Sequence, residues 1–110
     1  MEIAHSTVNN WHVAQLSGPF TIQTLRVAQE TIDTIAQNTH PLLALNLTDV
    51  SYIDSSAIGV ILAANRNFTQ KGGYIALFGA NPTITEVFNT IKLSKHIPVY
   101  GDYNAFVAAT

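Results

Sequence analysis

Apolar residues recur along this chain with two different periods. In Glu2–Val8 and Trp11–Leu16 they alternate with polar residues or are β-branched, as strands with one covered face require. Asn9-Asn10 between them suits a two-residue hairpin, because Asn tolerates the positive φ of such turns. Ser17-Gly18-Pro19 is expected to end the second strand. From Gln23 to Gln37 the step lengthens: Leu25, Ala28, Ile32 and Ile35 fall three or four apart, on one face of an amphipathic helix that Asn38 and Pro41 terminate.

The alternation of elements continues to the last residue. Leu42–Leu47 is a short apolar run typical of a central strand, and Thr48–Ser51 is expected to be a loop. A second helix runs from Asp54-Ser55-Ser56 to about Lys71, stopped by Gly72-Gly73, and Tyr74–Phe78 is the next strand. Asn81-Pro82 opens a third helix, since Asn caps free amides and Pro owes none at the first position. Ile84, Val87, Phe88 and Ile91 form its stripe. Ile97–Tyr100 predicts a brief edge strand, and Asp102 caps a final helix carrying Tyr103, Phe106 and Val107. The order β-β-α-β-α-β-α-β-α predicts an α/β fold. It has a mixed sheet whose helix-linked strands are parallel and whose opening hairpin is antiparallel.

Composition narrows what such a fold can do. The 110 residues make one domain, residues 1–110, and hydrophobic residues at 47% exclude a disordered chain. Charged residues at 11% are sparse for a fully solvated surface, which points to apolar surface reserved for a partner. Net charge is −2 and Arg26, Arg66, Lys71, Lys92 and Lys95 are scattered, so no basic stripe exists for direct nucleic-acid binding. No cysteine is present, and no apolar run is long enough for membrane insertion. A cytoplasmic protein is expected.

The informative stretch is Asp54-Ser55-Ser56-Ala57-Ile58-Gly59-Val60-Ile61-Leu62. On a helical wheel Ile58, Ile61, Leu62 and Phe68 are expected to face the sheet. Ser56, Gly59, Val60, Ala63 and Asn67 cluster opposite, with Ala57 beside them, as a small, nearly uncharged surface suited to a docked protein. A phosphate on Ser56 would add roughly −1.5 to −2 charges at a helix N-terminus, where the fold tolerates an anion. A docked partner would not tolerate it without a compensating cation. Two plainer explanations stand beside this: Asp-Ser-Ser also satisfies simple N-capping, and the uncharged face can be covered by another segment or a weak homodimer contact.

An enzyme is not expected. His5, His12, His40 and His96 show no metal-ligand spacing, Ser56 lacks a Gly-x-Ser-x-Gly elbow, and no phosphate-binding loop of the P-loop kind occurs. Trp11 and Tyr52, Tyr74, Tyr100 and Tyr103 read as packing residues. Asn46, the one polar residue in its strand, is expected either to pair with nearby backbone or to face out.

The segment Tyr52-Ile53-Asp54-Ser55-Ser56-Ala57-Ile58-Gly59 resembles the core motif of the STAS-domain anti-sigma factor antagonists, a strand followed by Asp-Ser-Ser/Thr-Gly-Leu-Gly and an apolar helix. Leu16-Ser17-Gly18, Leu45–Val50, Lys71-Gly72-Gly73, Leu77-Phe78-Gly79 and Val87-Phe88 extend the resemblance over nearly the whole chain. The resemblance implies that Ser56 accepts phosphate from an anti-sigma factor that is also a serine-protein kinase, with Asp54 and Ser55 organising the site. It implies a cycle in which the unphosphorylated protein sequesters the anti-sigma factor and frees sigma, and a PP2C-type serine phosphatase resets the switch. No cofactor is implied for the chain itself, because ATP belongs to the kinase. The alternative is a STAS subunit of a stress-signalling scaffold or of a lipid ABC transporter, using the same helix face as a constitutive contact. The chain departs from the pattern twice. Ala57 replaces the usual Gly and is expected to set a methyl group beside the acceptor, and Thr21 stands where many antagonists carry Asp.

Overall fold

The computed structural model describes residues 1–110, and its sheet grows outward from the opening hairpin. Strands β1 (Glu2–Val8) and β2 (Trp11–Phe20) pair antiparallel, turning through Asn9 and Asn10 at φ 49° and 70°. Both central residues are left-handed, as the favoured hairpin turn demands. Helix α1 (Leu25–Ala36), strand β3 (Leu42–Ile53), helix α2 (Ser55–Gln70), strand β4 (Tyr74–Phe78), helix α3 (Pro82–Thr90), strand β5 (Val99–Tyr100) and helix α4 (Tyr103–Ala109) follow. The sheet order is β1-β2-β3-β4-β5, with every pair after the first parallel. This is the predicted α/β architecture and element order.

Period-two alternation assigns the central strands to two cores. Ala14 and Leu16 of β2, Leu43, Leu45 and Leu47 of β3, and Ile75 and Leu77 of β4 face α1, α2 and α3 in the larger core. Val13, Ala44, Ala76 and Phe78 face the other way, toward Phe106 of α4. The small side chains of Ala44 and Ala76 leave room for Phe106. Its ring stacks on Phe78 at 5.1 Å and 13° and meets Trp11 edge-on at 5.4 Å and 88°. Trp11 therefore packs as expected. Tyr100 and Tyr103 likewise pack edge-on, against Phe106 and Phe78, whereas Tyr52 and Tyr74 correct the packing expectation, with 55% and 59% of their surface exposed.

Strand β3 departs most from the sequence expectation. Thr48–Ser51 is strand rather than loop, and β2 continues through Ser17-Gly18-Pro19 to Phe20. Pairing advances from Gln15↔Asn46 to Ser17↔Asp49 and again from Gly18↔Val50 to Phe20↔Ile53, so β3 twice carries one residue more than β2. These two bulges break the apolar alternation and so hide the strand from a period-based reading. Asn46 serves the first bulge: its Oδ1 accepts from the Thr48 amide at 3.0 Å and the Thr48 hydroxyl at 2.6 Å. Buried Phe20 and Val50 anchor the extension.

Smaller differences lie at the ends of elements. Helix α1 begins at Leu25, after a turn in which Thr24 Oγ1 accepts from the Thr21 amide and donates to the Pro19 carbonyl. Strand β5 shortens to Val99–Tyr100, and an unpredicted 3₁₀ turn at Leu93–Lys95 precedes it, with buried Leu93 and Ile97 closing the larger core. Helix α2 ends in a Schellman motif, the Gly73 amide bonding the Phe68 carbonyl and the Gly72 amide that of Thr69. Gly72 sits at φ +74°.

Candidate functional site

The parallel strands β2 and β3 finish at one corner, and Asp54 joins everything that meets there. Its backbone is extended (φ −110°, ψ 177°), which is the cap conformation, and its Oδ1 accepts from the Ala57 amide at 3.0 Å. Its Oδ2 accepts from the Ile22 amide at 3.0 Å, tying the segment after β2 to the start of α2. Its own amide donates to the Phe20 carbonyl. The Ile22 and Ala57 amides hold the carboxyl below its ordinary pKa, because they favour the charged form. Asn81 buttresses the corner from the far side: Oδ1 caps α3 at the Ile84 amide, and Nδ2 donates to the Val50 and Ser51 carbonyls.

Ser55 and Ser56 are the first two residues of α2, Ser55 exposed and Ser56 half-buried. The bonds that fix this corner run through Asp54, which leaves the serines free of the capping task. A group added to Ser56 would lie in the first turn, where free amides and the helix dipole favour negative charge.

Burial along α2 corrects the predicted faces. Ala57, Ile61, Ala64 and Phe68 form the buried stripe, while Ile58 and Leu62 are only partly covered. Ala57 is fully buried, so its methyl group points into the core, neither beside the Ser56 hydroxyl nor toward a partner. The physical reason is close approach: small Ala57 and Ala64 let the helix pack tightly against the core, and the larger Ile58 and Leu62 are only partly covered. Gly59, Ala63 and Asn67 are exposed as predicted, and Val60 is half-buried. Val60, Ala63 and Asn67 line a shallow groove against Gln29, Ile32 and Asp33 of α1.

Three surface features went unseen in the sequence. Ile22, 64% exposed, and Tyr52, 55% exposed, flank Asp54 in space and in sequence respectively. Arg66 of α2 is exposed and lines a cleft with Leu62 and Asn65 against Ile91, Leu93 and His96. No periodic signal marks an exposed apolar residue in a turn or beside a bulge. Thr21 is buried, and the residue after it contacts Asp54, so the position of this departure does adjoin the site.

Elsewhere His5 Nδ1 and His12 Nε2 lie 2.9 Å apart across the hairpin. Burial and the neighbouring His5 lower the pKa of His12. No three His, Asp or Glu side chains converge as placed, and no helix is long and apolar enough to cross a membrane.

Five strands in this order, one antiparallel pair, and a serine pair opening the helix after β3 define a small mixed-sheet α/β domain. The sequence matches the STAS domain family over residues 3–105, and the chain belongs to that family. It is 34% identical over 58 residues to an anti-sigma F factor antagonist of Paenibacillus polymyxa, a match covering 53% of this chain and 50% of that protein. The fold superposes on an anti-sigma factor antagonist from Mycobacterium paratuberculosis with TM-score 0.87 at 17% identity, covering 98% and 92% of the two chains. The Bacillus cell fate determinant SpoIIAA in its phosphorylated form gives 0.72 at 20%, covering 99% and 100%. The SulP transporter STAS domain from Vibrio cholerae gives 0.71 at 23%, covering 88% and 78%.

Proposed function

We propose that the chain is an anti-sigma factor antagonist whose binding is switched by phosphorylation of Ser56. One observation carries this. The half-buried Ser56 opens α2 at a corner that Asp54 already secures, next to exposed Ile22, Tyr52 and Gly59. A largely apolar surface of that kind suits a protein partner, and a phosphate at its edge makes docking costly by adding an anion beside the Asp54 carboxylate and against apolar groups. The same phosphate leaves the domain folded, because the first helical turn favours negative charge.

In this cycle the unphosphorylated protein holds an anti-sigma factor that is also a serine-protein kinase, and sigma is released. Phosphoryl transfer from ATP to Ser56 ends that hold, and a PP2C-type phosphatase restores it. The chain supplies the acceptor hydroxyl and a positioning frame, and the transfer chemistry belongs to the kinase. The name of the Paenibacillus relative and the phosphorylated form of SpoIIAA support this reading. Incubation with candidate kinases and ATP, followed by site mapping, tests it: label is expected on Ser56 and absent from Ser56→Ala. Equal labelling of that variant would remove the assignment.

The likeness to the SulP domain supports a second reading, in which the α2 face is a permanent contact within a larger assembly. Co-purification separates the two: a kinase-like ATPase partner fits the first, and a transporter component the second.

A further inference from the structure

The hairpin brings together two imidazoles that stand seven residues apart in the chain. His5 lies on β1 and His12 on β2, both on the sheet face that looks toward α1. Their rings are tilted 54° to each other with centroids 5.1 Å apart, and His5 Nδ1 faces His12 Nε2 at 2.9 Å. They share a cleft of about 330 Å³ with Glu30, Thr31 and Thr34 of α1, between the apolar walls of Val27 and Ile35. Glu30 is exposed, so its long side chain is free to change rotamer.

Two neutral imidazoles with facing nitrogens can hold one proton between them or one cation. Zinc takes imidazole nitrogens at ≈ 2.0–2.1 Å in tetrahedral geometry, which sets two such nitrogens about 3.3 Å apart. That is a few tenths of an ångström beyond the observed separation, within reach of small rotations of two surface rings. No net deprotonation is needed. The proton between the rings moves to the outer nitrogen of whichever ring carries it, and both facing nitrogens become ligands. Imidazole with carboxylate is a donor set that suits zinc and its neighbours in the first transition row.

We propose that His5 and His12, completed by Glu30 and solvent, form a binding site for a single zinc-class divalent cation that staples the hairpin to α1. The site lies at the opposite end of β2 from Ser56 and is independent of the switch proposed above.

Zinc chloride titrated into the full chain, followed by calorimetry and by the histidine ring resonances, tests this. One equivalent is expected to bind, shifting the rings of His5 and His12 and leaving those of His40 and His96 in place. His5→Ala and His12→Ala should each weaken binding at least about tenfold, since even partners of a metal ligand carry that much. Glu30→Gln should weaken it by a smaller factor, and His40→Ala not at all. Melting curves without zinc check that each variant is folded, and His5→Gln and His12→Gln replace any that is not. Binding unchanged in both hairpin variants, or no binding by the parent chain above that of the double variant, would overturn the proposal.

Discussion

Asp54 and Ile22 are 32 residues apart in the chain, yet a 3.0 Å bond from the Ile22 amide to the Asp54 carboxylate joins them. The second oxygen of the same carboxylate caps α2 at Ala57. One side chain thus aligns an exposed apolar residue with the helix that carries the serine pair. Asp54→Ala removes both bonds and should lower Tm by roughly 4–8 °C, the effect of losing a cap in a domain of this size. Asp54→Asn keeps an equally good cap oxygen but loses the acceptor for one of the two amides, so its Tm should fall between the two. Thermal melts of the three proteins check the order.

The depressed pKa of Asp54 makes its contribution depend on pH in one direction. The unfolded carboxyl titrates near its ordinary value of 3.8, and the folded one lower, because amides stabilise its charge. The contribution is therefore complete above 3.8 and is lost as pH falls through the lower folded value. Melting curves of the parent and Asp54→Asn should be separated at pH 7 and should converge as the pH falls below the lowered folded value. A gap that persists unchanged in acid would contradict the assignment.

Ser56→Asp should leave Tm within a few degrees of the parent, because the first turn of a helix accepts an anion. Affinity for the proposed anti-sigma partner should drop at least about tenfold, as expected when an uncompensated charge is buried at an interface. A collapse of the fold in this variant would show that Ser56 is structural.

Glycines in and after α2 should respond in opposite senses. A methyl group at Gly59 would meet open space, so Gly59→Ala should raise stability by about 1 kcal/mol through helix propensity alone. A Cβ on Gly73 would overlap the Pro41 carbonyl, so Gly73→Ala should cost on the order of 3 kcal/mol. Urea titrations distinguish these signs. Gly59→Trp, which keeps the fold and blocks the outward face, should abolish partner capture.

Phe106 is the sole side chain that α4 buries fully. Phe106→Ala should cost about 3–5 kcal/mol, as for other buried aromatic truncations. Loss of near-ultraviolet signal from Trp11, its edge-on neighbour at 5.4 Å, should accompany the change.

The element order, the hairpin turn and the capped starts of α2, α3 and α4 were legible because each rests on local chemistry. Asn9-Asn10 can only be a left-handed pair in such a turn, and Asp54, Asn81 and Asp102 each cap the helix they precede. What escaped depended on contacts between distant segments. A helical wheel places the outward face of α2 by its largest apolar residues, whereas the core receives the small Ala57 and Ala64 beside Ile61 and Phe68. A helical wheel weights bulk and is blind to close approach. Thr48–Ser51 looked like a loop because two bulges erase the alternation that marks a strand. Tyr52 and Ile22 carry no pattern, and only the fold shows that both stand beside Asp54.

Strand β3 pairs with β4 only from Leu42 to Asn46, but with β2 as far as Ile53. Its last seven residues, Leu47–Ile53, thus form a cantilever, clamped at its root in the sheet, paired along one side by β2 and tied on the other only by Asn81. Substitutions at the tip, around Ile22, Tyr52 and the serines, can reshape the docking surface proposed there without disturbing the clamp. Recognition and foldedness can then diverge independently among chains that share this frame.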